Sequence, residues 1–297
     1  MAWYRINMIN LNPFQGSSAN FLNEVVSSKR KGPKETSPYY KDRIIPLSQI
    51  ILTAYPLYDE AFQRNTLHTV TASITFTPEQ KADAIKLYKY KSKPFIQLKN
   101  AIISRPDNYE DHTCQYCTIN SVNTLDHIMP KDDYPEFAVH PKNLVPACSE
   151  CNGYKSEKWM SQHRVFECLN PYLHQLPTVQ FLFAIVNYVN STFHVSFRLD
   201  NSNSLIPPYF FNVIESHFRN LHLLERYKQA SFKIISEFDN TIRGSLTTQS
   251  LDNALNSARA TIRLNQDAFG YNQFENVLKL ELCNGVAFRQ YCQDQEY

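Results

Sequence analysis

The sequence predicts an α+β protein with three parts: a mainly helical N-terminal region (1–105), a central metal-held segment (106–175) and a C-terminal β-hairpin with helices (176–297). Three observations predict it. Glycine is scarce, six in 297 residues, where average usage would give about twenty. Few forced turns favour helices joined at prolines. Apolar residues recur at helical spacing on both sides of the centre. Between them, two Cys-x-x-Cys pairs bracket a segment rich in Asp, Asn and Pro.

The clearest N-terminal helix begins at Thr77-Pro78-Glu79-Gln80. Thr77 can cap it, Pro78 suits the first helical position and Gln80 completes a capping box. Ala82, Ile85 and Tyr88 follow at helical spacing. Pro94 opens a second helix through Phe95, Leu98 and Ile102, ending before Pro106. Val70, Ala72, Ile74 and Phe76 alternate as a short strand would. The run 29–34 (KRKGPK) reads as a basic loop. The central segment has little room for a conventional core, so metal is expected to do part of its folding. Beyond Pro177, two alternating runs around Asn190-Ser191 predict a hairpin. Helical periodicity resumes after Pro207-Pro208, at Phe210, Val213, Ile214, His217, Phe218, Leu221, Leu224, Tyr227 and Ile234. Two further helices are expected over 249–265 and 272–292.

Composition excludes several classes. Apolar residues make up 43% and aromatics 13% of the chain, which rules out a disordered protein. No run approaches the roughly 20 apolar residues that span a bilayer. The start, from Met1 to Asn7, lacks the charged-then-apolar layout of a signal peptide, so a cytoplasmic protein without membrane contact is expected. Cys168, Cys283 and Cys292 show no paired spacing and read as small buried residues. The net charge of +2 hides an asymmetry: residues 1–105 hold 15 Lys+Arg against 7 Asp+Glu, whereas 106–175 hold 5 against 10. Basic charge gathered ahead of an acidic centre points to a polyanion-facing surface.

Cys114, Cys117, Cys148 and Cys151 have the spacing C-x2-C-x30-C-x2-C. Each pair sets two sulfurs on one tight turn, and two such turns can close a tetrahedral zinc site with no open position. Asp126-His127, on an expected strand, lies between the pairs, and Asn152 directly follows the last cysteine, where a helix could begin and run through Tyr154, Lys155 and Trp159. Asp126 and Asn152 offer the oxygen ligands that Mg²⁺ prefers. A histidine beside such an ion could take a proton from attacking water.

In order, these residues read Cys-x-x-Cys, Leu125-Asp126-His127-x-x-Pro130-Lys131 and Asn143-Leu144-Val145-Pro146-x-Cys148-x-x-Cys151-Asn152-x-x-Lys155. The segment resembles the HNH endonuclease family, whose ββα-metal core is clamped by a four-cysteine zinc site. Tyr134-Pro135-Glu136-Phe137 and Asn170-Pro171-Tyr172 resemble text of a bacterial defence-type subgroup. The resemblance implies His127 as general base, Asp126 as a Mg²⁺ or Mn²⁺ ligand and Asn143 as the residue that orders the loop and orients the base. Asn152 stands where the family usually has its final histidine, making this an HNN variant in which the asparagine still binds metal. Lys155 and Lys131 would touch phosphate. Because the central segment is acidic, Lys86, Lys89 and Lys93 are expected to supply further contacts to DNA. His140 is a reserve candidate; His112, His163 and His174 receive no role.

Two other readings compete: a zinc-dependent module that binds nucleic acid or protein without catalysis, and a toxin-like effector that cuts RNA. The aromatic C-terminal faces read as core, or as a docking surface for an ATPase partner or a second copy of the chain.

Overall fold

In a computed structural model, residues 11–104 and 110–295 are described; Met1 to Asn7 and Pro106 lie outside them. The architecture is α+β, as expected, with two small antiparallel sheets among helices. The chain divides into two compact units. One comprises 11–116 and 120–174; the other comprises 175–295, with the three residues 117–119 assigned to it.

The first unit begins with five helices: α1 (Ser18–Ser27), α2 (Tyr40–Leu52), α3 (Tyr55–Gln63), α4 (Pro78–Lys86) and α5 (Lys93–Ile103). The capping box of α4 forms with both reciprocal bonds, Thr77 N to Gln80 Oε1 at 3.0 Å and Gln80 N to Thr77 Oγ1 at 3.2 Å. Asp83, buried on α4, accepts a two-pronged contact from Arg43 of α2, at 2.8 and 3.0 Å. This geometry satisfies a carboxylate that burial would otherwise penalise. Phe95 of α5 meets Phe21 of α1 and Tyr88 edge-on, at 5.6 and 5.1 Å between centroids.

The strand expected over 70–76 is absent. The segment carries no regular structure, and the backbone N–H of Ser73 donates to Glu136 Oε1 at 2.9 Å instead of to a neighbouring strand. Alternation without a pairing partner leaves extended chain, not sheet.

The strands β1 (Thr124–His127) and β2 (Leu144–Ala147) pair antiparallel, with Asp126 opposite Val145 and His127 opposite Leu144. Helix α6 (Ser149–Lys155) follows. It stops at Lys155, before Trp159, because Ser156 turns into positive φ. The central segment is not thinly packed, contrary to expectation. Phe137, Ala138, Leu144, Val145 and Ala147 are fully buried. Aromatic side chains from α3 complete this core, Tyr58 lying 4.9 Å from Phe137 and Phe62 lying 6.1 Å from Tyr172.

The second unit opens with the expected hairpin, β3 (Leu182–Val189) and β4 (Thr192–Leu199). Asn190 and Ser191 both take positive φ, 50° and 58°, the combination a two-residue turn needs to match strand twist. Five helices follow: α7 (Pro208–Asn220), α8 (Leu223–Leu246), α9 (Leu251–Phe269), α10 (Phe274–Asn284) and α11 (Val286–Asp294). The periodic run from Phe210 to Ile234 is thus split, by a left-handed His222. The single helix expected over 272–292 is also two. At the break, a Cβ on Gly285 would meet the Glu281 carbonyl oxygen at 3.0 Å, so only glycine fits without displacement. Tyr227 stacks on Phe274 at 4.5 Å and 5°. Among the described residues no helix is long and apolar enough to cross a membrane.

Buried Asn272 anchors the start of β3. Its Oδ1 accepts from Phe181 N and Leu182 N at 2.7 and 3.0 Å, and its Nδ2 donates to the Val179 carbonyl at 2.9 Å. Replacing it with alanine leaves buried backbone groups unpaired, so Asn272→Ala is expected to cost about 3 kcal/mol in urea unfolding.

Candidate active site and metal centre

The four cysteines converge. Their sulfurs all lie within 4.8 Å of one another, each residue is buried and no disulfide joins them. Backbone N–H groups point at two of the sulfurs, Ile119 N at Cys117 Sγ and Cys151 N at Cys148 Sγ, each 3.4 Å away. Asn120 Nδ2 lies 3.9 Å from Cys148 Sγ and also donates to Glu150 Oε2 at 2.7 Å. Such donors suit thiolates rather than thiols. Four soft, buried, mutually close sulfurs fit a closed structural metal site of the zinc type. Cys148 is also the N-cap of α6, so its sulfur helps start the helix that carries Asn152 and Lys155.

Asp126 and His127 are consecutive on β1 and therefore project from opposite faces. Asp126, 2% exposed, turns toward α6. Its Oδ2 accepts from Tyr116 Oη at 2.9 Å and pairs with Lys155 Nζ at 3.1 Å. Burial pushes the carboxyl above its ordinary range, and Lys155 and Tyr116 pull against that rise. Lys155 also donates to the His127 carbonyl at 2.6 Å. A single buried ammonium thus ties α6 to both residues of the pair.

His127 faces the loop between the strands, where its Nε2 lies 2.8 Å from the Ala138 carbonyl. A carbonyl only accepts, so Nε2 carries the proton and Nδ1 keeps its lone pair. The Tyr88 ring meets the imidazole edge-on at 4.7 Å. Burial holds the imidazole pKa down at about 4, so the ring is neutral near pH 7.

Asn143, fully buried, stitches the same loop. Its Nδ2 donates to the Met129 and Phe137 carbonyls, both at 3.0 Å, and its Oδ1 accepts from Met129 N at 2.8 Å and Tyr58 Oη at 3.2 Å. Phe137 precedes Ala138, whose carbonyl holds His127. Asn143 therefore acts one peptide away from the group that sets the imidazole tautomer.

The other expected site residues are placed less uniformly. Asn152, half-buried on α6, donates from Nδ2 to Thr124 Oγ1 at 3.4 Å. Thr124 and Asp126 share a face of β1, so Asn152 and Asp126 line the same β1–α6 groove. What sits directly on Asp126, however, is Lys155, which is 2% exposed and turned inward rather than toward a solvent phosphate. Lys131 pairs with Asp132 at 2.8 Å. Lys86 lies over the Tyr40 ring at 4.5 Å, and Lys89 and Lys93 are exposed. His140 is fully buried between Tyr58 and Tyr55, at 4.2 and 4.5 Å, with Asp59 Oδ1 at 3.7 Å from its Nε2. Sequence reasoning missed Tyr116, Tyr88, Tyr58 and the Ala138 carbonyl. Only Tyr116, inside the first Cys-x-x-Cys, lay close enough to a motif to be noticed.

An antiparallel strand pair with Asp-His on its first strand and a following helix form a ββα unit beside a four-thiol cluster of metal-site geometry. Residues 114–158 match the family model "HNH endonuclease", and the chain carries a domain of that family. Over 134 residues it is 27% identical to protein ea31 of Escherichia phage lambda, covering 42% of each chain. Over 68 residues it is 35% identical to Septu protein PtuB of Bacillus thuringiensis, covering 21% of this chain and 24% of that one. The chain thus spans less than half the length of these curated relatives. No solved structure matches.

Two outcomes test this geometry. Cys148→Ser should lower the zinc content measured by elemental analysis below one ion per chain and reduce the melting temperature. Lys155→Met leaves Asp126 buried without its cation, and chemical denaturation should show a loss of about 3–5 kcal/mol.

Proposed function

We propose that this protein is a metal-dependent endonuclease that hydrolyses phosphodiester bonds in DNA, with His127 as general base. The observation that carries the reading is the held tautomer of His127: Nε2 bound to the Ala138 carbonyl, Nδ1 left basic, inside a domain that matches the HNH endonuclease family.

In this reading, a water oxygen bonds to phosphorus as the P–O3′ bond breaks. The water proton passes to Nδ1 of His127, and the departing 3′ oxygen takes a proton from solvent, leaving 5′-phosphate and 3′-hydroxyl ends. Asn143 keeps the base in place through the Phe137–Ala138 segment. Asp126 and Asn152 would hold Mg²⁺ or Mn²⁺. Tyr116 and Lys155 both contact Oδ2 of Asp126, and the His127 backbone N–H also favours its ionised form. When bound, that ion would offset charge building on the scissile phosphate and leaving oxygen. The four cysteines would hold zinc for folding only.

The partial likeness to Septu protein PtuB supports a role in anti-phage defence; a cytoplasmic location and control of the cut by an ATPase partner or by self-association are further parts of this proposal. One observation favours a competing reading. Asp126 is already matched by Lys155 and Tyr116, as in a zinc-held binding module without catalysis.

Supercoiled plasmid separates the two. The wild-type protein should nick or linearise it with Mg²⁺ or Mn²⁺, and His127→Ala should lower the rate about 10²–10⁴-fold at unchanged zinc content. Equal cleavage by wild type and His127→Ala would remove His127 as the base; absence of wild-type cleavage on plasmid and on tRNA would favour the binding module.

A further inference from the structure

The chain just past α1 reaches the end of α4, where Lys86 and Lys89 stand on either side of Leu87 in sequence. Lys29, two residues past α1, lays its ammonium on the Leu87 carbonyl at 2.6 Å, just beyond the last turn of α4. Lys86 and Lys89 flank that carbonyl in sequence, and both lie close enough to bear electrostatically on Lys29. Burial first, and then the charges of Lys89 and Lys86, bring the Lys29 pKa down to about 8. Some basic residues of this unit have acids beside them, as Arg43 has Asp83, Lys31 has Asp42, Lys142 has Asp59 and Lys155 has Asp126. Among the described residues, Lys29, Lys86 and Lys89 form no salt bridge. Lys29 rests on a neutral carbonyl and Lys86 on the face of the Tyr40 ring. The charges of Lys86 and Lys89 act on Lys29 with the same sign, and an anion settling beside the Lys29 ammonium would relieve that repulsion.

The cluster also has a fixed position relative to His127. Tyr88 stands between Leu87 and Lys89. Its hydroxyl donates to the Leu125 carbonyl of β1 at 2.7 Å, and its ring meets the His127 imidazole at 4.7 Å. The backbone that carries the lysines is thereby fastened to the strand that carries the base. Sequence alone could not show this grouping, because Lys29 is 58 residues from Leu87.

We propose that Lys29, Lys86 and Lys89 form a binding site for a backbone phosphate of the nucleic-acid strand, adjacent to the phosphate that is cut, with Tyr88 setting the distance from the cluster to His127. The adjacency to a cut phosphate rests on the nuclease reading; the phosphate site itself does not. Lys93, at the start of α5, lies outside the cluster.

The test uses the full chain in buffer free of divalent ions, with a labelled 30-base-pair DNA duplex and a labelled 30-nucleotide RNA, read by fluorescence anisotropy across a salt series. Lys29→Gln should weaken binding about fivefold and reduce the slope of log Kd against log salt by about 0.9. Lys29→Arg should keep most of the affinity, and Lys233→Gln, in the second unit, should change nothing. With Mg²⁺ present, Lys29→Gln should raise KM and leave kcat within about twofold, as loss of uniform binding requires. If Lys29→Gln lowers the melting temperature, the double variant of the exposed Lys86 and Lys89 to glutamine carries the same measurement. Loss on RNA alone would support the site and identify RNA as the source of the phosphate. Wild-type affinity and salt slope in Lys29→Gln and in the double variant would overturn the site, whether or not the protein cuts. Plasmid cleavage by wild type alongside that result would leave the nuclease reading standing.

Discussion

The four-sulfur cluster is the constraint on which the rest of the candidate site depends. It brings residues 114–117 against 148–151 and so closes the chain between them into a loop. Closing such a loop costs entropy before the contacts inside it compensate, and a metal bound by four thiolates converts its binding energy into folding energy. Everything chemical lies within that loop or at its edge: β1 with Asp126 and His127, Asn143, β2, and α6, which begins on the sulfur of Cys148.

Inside the closure, burial treats the two central side chains differently. His127 is held neutral by desolvation, with one nitrogen committed to a carbonyl. This is the state a general base needs before it acts. Asp126 is equally buried but keeps a cation against it, because an unpaired carboxylate there would be costly. Lys155 meets that need and also grips the His127 carbonyl. Any divalent ion arriving at Asp126 must share the carboxylate with this ammonium. The same side chain that stabilises the resting site would thus compete with an ion at that carboxylate and set how strongly such an ion would have to bind.

The local features were the legible ones. The capping box at Thr77, the hairpin turn at Asn190-Ser191 and the metal spacing of the cysteines each involve residues close in sequence whose types dictate geometry. What escaped was long-range. The alternation at 70–76 looks like a strand until one asks what it would pair with. The thin centre was misjudged because its missing core comes from Tyr58 and Phe62 on α3, roughly 80 to 110 residues upstream of Phe137 and Tyr172, which they meet. Lys155 looked like a surface phosphate contact because its burial depends on where β1 places Asp126. Tyr88 and the Ala138 carbonyl could not be found by motif: one acts from another helix pair, the other through its backbone.

The opposite orientation of Asp126 and His127 has a consequence for how this sequence can vary over time. A strand repeats every two residues, so a one-residue slip of β1 against β2 would exchange the groove-facing carboxylate for the loop-facing imidazole. A length change in the 128–142 connection would leave the two faces as they are but move Phe137 and Ala138, on which Asn143 and His127 rest. Between Cys114 and Asp126, or between Asn143 and Cys148, a single inserted or deleted residue would invert the site. Among descendants of this sequence, spacing in those two intervals should drift less than the identity of the residues that fill them.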